Sequence, residues 1–98
     1  MTIRADPDPK SVALVRVFVG NVLAVFGADE LDVNDVKVAV SDIVSGLVEA
    51  GRPIEIEARV AESELRLTGN LAAPPPPAGV LLLGSRLDVG EGHWTIKL

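Results

Sequence analysis

The sequence predicts an α+β fold, a two-layer sandwich in which two main helices pack on one face of a mostly antiparallel sheet. Three observations lead there. Apolar residues recur at helical spacing across two successive segments, residues 12–26 and 33–50. From residue 54 the pattern changes to alternation, the period of a half-buried strand. The helical and strand-like segments are grouped rather than interleaved, and grouped elements put helices on one side of an antiparallel sheet.

The elements follow in order. Residues 2–4 make a short edge strand, stopped by DPDP. Asp8 then caps a first helix with Pro9 at its first position, and Gly27 ends it. Val12, Val15, Val19, Val22, Leu23 and Phe26 form its stripe. Its many β-branched residues lower helix propensity and leave a strand reading open for part of the segment. The stripe, continuous over about four turns, favours helix. A second helix is expected to start at Asp32 as its cap, with Asp35 three residues on, where the helix dipole favours an acid. Val33, Val36, Ala39, Val40, Ile43, Leu47 and Ala50 form its buried stripe, Gly51 ends it and Pro53 prevents continuation.

Ile54, Ile56, Ala58 and Val60 alternate with Glu55, Glu57 and Arg59, and Leu65 and Leu67 with Glu64 and Arg66, giving a hairpin about Glu62-Ser63. Residues 72–79, AAPPPPAG, are expected as an extended polyproline loop. Residues 80–83 are a short apolar run of undefined type. Val89-Gly90-Glu91-Gly92 introduces a terminal strand at residues 94–98. With no internal repeat, residues 1–98 are expected to be a single domain.

Composition narrows the function. Apolar residues are 48% of the chain but aromatic ones only 3%, so the core is built from Val, Leu, Ile and Ala with Phe18, Phe26 and Trp94 as its large rings. There is no cysteine, hence no disulfide and no thiol chemistry. The net charge of −5, spread along the chain, argues against a nucleic-acid partner, which needs a basic face. MTIRADPDPK has neither the apolar run nor the cleavage pattern of a signal peptide, and no uninterrupted apolar run approaches the ~20 residues of a membrane span. A cytoplasmic location without membrane attachment is expected.

Chemical motifs are sparse. His93, the one histidine, lies beside a turn in GEGHW without carboxylates at ligand spacing, and reads as a surface imidazole. Gly90-Glu91-Gly92 and the Gly79…Gly84 pair match no phosphate-loop pattern and read as turn glycines. Pro74 to Pro77 contain a PxxP spacing but no flanking base to orient a groove partner. Asp42 and Glu49, with Ser45 between, share a helix face about 10 Å apart, too far to share a proton or a metal without a third group.

The stretch VAVSDIVSGLVEAG, followed by RPIEIEARV, ESELRLTGN and finally GHWTIKL, resembles the nucleotide-binding domain of the anti-sigma-factor serine kinases. These belong to the ATPase superfamily of gyrase, the heat-shock chaperone and sensor histidine kinases. The opening MTIRADPDPKSVALVRVFVGNVLAVFG is similar to that family's first strand and helix. The resemblance implies the histidine-kinase-like ATPase fold and a bacterial regulatory protein. It places Asp42 where the family has the Glu that polarises the attacking hydroxyl, and Gly46 where it has the Asn that holds Mg²⁺. Glycine has no ligand atom. Ala50 replaces the next polar position, and Thr68-Gly69-Asn70-Leu71 offers Asn70 but no Asp for adenine. The lid is reduced to the proline loop, with Ala78-Gly79 in place of its exit motif.

On that register Asp42, Gly46, Ala50 and Asn70 are positions of a former nucleotide site, and neither cofactor nor metal is expected. The leading expectation is a non-catalytic regulatory module that binds a sigma factor, an antagonist, a related regulator or itself. Asp29, Glu30, Asp32 and Asp35 are candidates for a basic partner surface, with capping and solubility as their plain roles. The second expectation is a minimal ATP-binding serine kinase in which Asp42 is the base and Ser45 assists the metal. The third is a structural homodimer pairing strand 2–4 or strand 94–98 at a sheet edge.

Overall fold

The computed structural model describes residues 1–72 and 82–98. The chain runs β1 (Thr2–Ala5), α1 (Pro9–Phe26), α2 (Glu30–Glu49), β2 (Ile54–Ala61), β3 (Glu64–Asn70), a 3-10 turn (Gly84–Arg86), β4 (Leu87–Gly90) and β5 (His93–Lys97). The strands form one sheet in the order β1-β2-β3-β5-β4, every neighbouring pair antiparallel. The expected polyproline loop from residue 73, its PxxP spacing, Ala78-Gly79 and the first part of the apolar run at 80–83 lie outside the described residues.

Both ends of α1 are set by the residues that announced them. Asp8 accepts a 2.8 Å hydrogen bond from the Lys10 amide, and Pro9, which has no amide hydrogen to satisfy, follows it. Gly27 sits at φ 89°, letting its own N–H reach the Ala24 carbonyl at 3.2 Å and the Ala28 N–H reach Leu23 at 3.0 Å. This paired closure satisfies carbonyls that the last turn leaves open. The open strand reading for part of this segment is thereby resolved as helix.

The start of α2 corrects the sequence reading. Its cap is Asp29, not Asp32, and the Asp29 carboxylate accepts from the Asp32 amide at 2.9 Å. The D-x-x-D spacing occurs twice in succession, and the earlier copy wins because it adds a turn of backbone bonds, beginning with Val33 N–H to Asp29 O at 3.0 Å. Asp32 then lies in the first turn, where its charge still complements the helix dipole. At the other end Arg52 N–H bonds Leu47 O and Gly51 N–H bonds Val48 O, the same closure as on α1. Ala50 is exposed rather than part of the buried stripe, and Val44 is buried within it.

The β2–β3 turn places Glu62 at φ 53° and Ser63 at φ 68°, the two left-handed residues of a type I′ hairpin. Strand β4 is a second correction, because Val89-Gly90 were expected only to lead into the terminal strand and residues 87–88 were given no element. They instead pair with β5 from Leu87↔Ile96 to Gly90↔His93 around a Glu91-Gly92 turn. This edge strand buries nothing fully, and its alternation, Leu87-Asp88-Val89, is too short to announce it. It follows that β5 lies inside the sheet and offers no free edge.

One face of the sheet is apolar and carries both helices. Ile54, Ile56, Leu65, Leu67, Trp94 and Ile96 project from it into the α1 and α2 stripes, closing one continuous core. Burying side chains of this size stabilises by roughly 1.5–3 kcal/mol each. The opposite face carries Arg4, Glu55, Glu57, Arg66, Thr68 and Thr95 and is open to water. Helix α1 is long and apolar enough by composition to cross a membrane, a property missed by counting uninterrupted apolar runs. In this fold Val15, Val19, Val22 and Leu23 on it are core.

Candidate functional site

Because α2 turns Val36, Val40, Ile43, Val44 and Leu47 toward the sheet, its helical period sets Ser41, Asp42, Ser45, Gly46 and Glu49 off the core. Ser41, Asp42 and Gly46 are half-buried, whereas Ser45 and Glu49 are exposed. The Ser41 hydroxyl donates to the Lys37 carbonyl of its own helix at 2.7 Å, so it is engaged locally. Asp42 makes no side-chain hydrogen bond or ion pair among the described residues. A Cβ built on Gly46 meets nothing within 4 Å, and its φ is an ordinary one. The glycine therefore answers to no packing or backbone demand from the described residues. Ala50 carries a right-handed helical backbone at the α2 terminus and presents only a methyl.

Asn70 is brought to a different place. Like Arg66 and Thr68 it has the parity of the outer sheet face, where it lines a shallow depression with Arg4, Glu55 and His93. Its carboxamide oxygen accepts from the Glu55 amide at 3.0 Å and its nitrogen donates to the Pro53 carbonyl at 2.7 Å. Its own carbonyl accepts the Trp94 indole N–H at 3.0 Å. Beyond it, Leu71 N–H bonds Gly92 O at 3.0 Å and the Arg52 guanidinium reaches Leu71 O at 3.3 Å. This end of β3 is a hydrogen-bonded junction of β2, β3 and the β4–β5 turn, with the Asn70 amide engaged through both its oxygen and its nitrogen.

The four acids proposed for a partner surface divide. Asp29 caps α2, and Asp32 makes a 2.6 Å ion pair with Arg86, their side chains 34% and 33% exposed. Arg86 also donates to the carbonyls of Leu83 and Leu82, so it clamps the 3-10 turn to the first turn of α2. Glu30 is exposed and Asp35 half-buried, neither with a side-chain partner among the described residues. The Arg86 clamp joins residues 54 apart and has no local sequence signature. His93 is exposed, its ring against Gly90 and its Nδ1 3.2 Å from the Glu91 carbonyl. Among the described residues, no three His, Asp or Glu side chains converge to hold a metal ion.

No protein-family model matches the chain, and no curated protein matches it. Among solved structures, it is similar to the crystal structure of the RsbU and RsbW domains of Rv1364c from Mycobacterium tuberculosis, with a TM-score of 0.76 and 25% identity. The match covers 100% of this chain and 30% of the other. The fold is thus that of the anti-sigma-factor-kinase-like ATPase domains, as the sequence resemblance implied. The Mg²⁺-nucleotide implied by that fold can be weighed against the side chains present. α2 offers one half-buried carboxylate at Asp42, no ligand atom at Gly46, and no help from Asn70 on the far side of the sheet. Among the described residues, the positions that the resemblance assigns to the nucleotide supply one carboxylate and no second ligand for the group.

Proposed function

We propose that this chain is a non-catalytic regulatory module, an anti-sigma-factor-kinase-like domain that no longer holds a nucleotide and acts by binding a protein partner. The observation that carries the reading is Gly46. On the register of the sequence resemblance it stands where the family has its Mg²⁺ ligand, and no group among the described residues lies within 4 Å of a Cβ built there. A position that lacks the ligand side chain and meets no packing group among the described residues supports a site under no chemical demand. Loss of metal ligand, adenine acceptor and lid contacts removes about 1–3 kcal/mol each, against the ~8 kcal/mol of a micromolar complex. What the fold keeps is surface for a sigma factor, an antagonist or a related regulator, in the cytoplasm.

Thermal unfolding with and without Mg²⁺-ATP tests the nucleotide half of this reading. Ligand at 100 times its Kd would stabilise by about 2.7 kcal/mol and raise Tm by several degrees; no shift at millimolar nucleotide is expected. The second reading, a minimal serine kinase, draws on Asp42, a retained carboxylate with no side-chain partner among the described residues. It requires a Tm rise that Asp42→Asn abolishes, and ATP-dependent phosphorylation of a protein substrate.

A further inference from the structure

Among the described residues, Ser11 is the one polar residue that the fold buries, at 8% exposed. Its amide bonds the Asp8 carbonyl at 2.8 Å. Its hydroxyl, unlike that of Ser41, has no hydrogen-bond partner among the described residues. No fully buried side-chain oxygen or nitrogen among them goes unbonded, so the Ser11 hydroxyl must reach the surface. It does so at a depression of about 330 Å³ between the end of β1 and the start of α1, where Ser11 forms part of the wall. Arg4, Asp6, Asp8, Lys10 and the exposed Leu14 also line it. The four charges do not neutralise one another. Arg4 pairs outside the group, with Glu55 at 3.5 Å, and Asp6 and Lys10 have no side-chain partner among the described residues. Asp8 engages Oδ1 with the Lys10 amide. Pro7 and Pro9 fix their own backbone angles, and the Asp8 N–H bonds the Asp6 carbonyl at 2.8 Å, so both acids are held in place before any ligand arrives.

We propose that this depression binds a small zwitterion, a free α-amino acid with an aliphatic side chain. The ligand carboxylate takes the Ser11 hydroxyl, Lys10 and Arg4, at the end of α1 where the helix dipole favours negative charge. The ligand ammonium lies against Asp6 and the second oxygen of Asp8, and the side chain covers Leu14. A simple anion would gain the two cations and the hydroxyl but face both acids. A simple cation would meet the reverse, with the helix dipole against it as well. A ligand carrying both charges satisfies the whole set. The volume falls at the lower end of the roughly 300–1,000 Å³ of small-molecule sites, as suits a ligand of this size. The site uses none of the nucleotide positions on α2, so it holds whether or not the chain binds nucleotide.

Titration of the isotope-labelled full chain with L-leucine into the millimolar range, followed by backbone amide shifts, tests it. Saturable shifts centred on residues 4–14 are expected. Ser11→Ala and Asp6→Asn are each expected to raise the dissociation constant about fivefold or more, as loss of one charge-assisted hydrogen bond requires. Both changes keep the fold, since alanine favours helix and Asp6 is exposed. Lys97→Gln, on the outer sheet face, is expected to leave binding alone. Isocaproate, which is leucine without its amine, and isopentylamine, which is leucine without its carboxylate, are each expected to bind at least about tenfold more weakly. Absence of saturable shifts with leucine overturns the proposal. So does either analogue binding as tightly as leucine, which would leave a site for a single charge, and so does binding indifferent to both Ser11→Ala and Asp6→Asn.

Discussion

The indole of Trp94 lies flat against Gly69 on the neighbouring strand, so close that a Cβ on Gly69 would fall 2.7 Å from its Cζ2. The two residues are directly paired across β3 and β5, and Trp94 is fully buried. Its N–H ends on the Asn70 carbonyl. The single tryptophan therefore holds the exit of β3, the segment that the family resemblance assigns to adenine.

Gly69→Ala tests that relationship. The ring has no room to retreat in a closed core, so the added methyl is expected to destabilise by about 1–3 kcal/mol, the usual range for overpacking. Urea unfolding followed by Trp94 fluorescence measures it. An unchanged midpoint would contradict the packing described.

Gly46→Ala is expected to act in the opposite direction. Glycine inside a helix is less stable than alanine by roughly 0.5–1 kcal/mol, and no described residue would meet the added methyl. Stabilisation of that size in the same urea experiment would show that the glycine serves neither packing nor backbone. A loss of stability would mean that something fills the space.

The β2–β3 turn offers a third test. Glu62 and Ser63 both hold left-handed backbones that side chains disfavour. Replacing the pair by Asn-Gly, the preferred type I′ sequence, is expected to raise stability by about 0.5–2 kcal/mol. Thermal unfolding reads this directly, and a fall in Tm would contradict the turn type.

The Arg86–Asp32 pair is half-exposed, and pairs of that kind contribute about 1 kcal/mol or less. Its role is positional. Arg86→Ala is expected to leave global stability nearly unchanged while speeding amide exchange in residues 82–90, which the guanidinium clamps to α2. Uniform exchange across that segment in both proteins would remove the clamp from the account.

Local chemistry explains which features were legible beforehand. Asp8-Pro9 and Gly27 bounded α1 because capping is decided by adjacent residues. The alternation of residues 54–67 revealed the hairpin because one face of it is buried. The start of α2 was misplaced because two overlapping D-x-x-D spacings compete, and only the number of backbone bonds gained separates them. β4 escaped notice because its alternation spans only Leu87-Asp88-Val89, too short to separate an edge strand from a turn approach. At the candidate site, helical spacing put Asp42 and Gly46 off the core, while their assignment to a nucleotide site came from the family resemblance. The outward side of Asn70 was readable too, since it shares parity with Arg66 and Thr68, but its bonds to Pro53 and Glu55 depend on register. The Asp32–Arg86 pair depends on tertiary placement alone.

The central claim, that the α2 site no longer serves a nucleotide, is tested most directly by calorimetric titration with Mg²⁺-ATP to millimolar concentration. The wild-type chain and an Asp42→Glu/Gly46→Asn double variant, which restores the family's two side chains, would be measured side by side. The account predicts no saturable heat from the wild-type chain, and any gain in binding only in the double variant. Saturable wild-type binding that disappears in Asp42→Ala would contradict it.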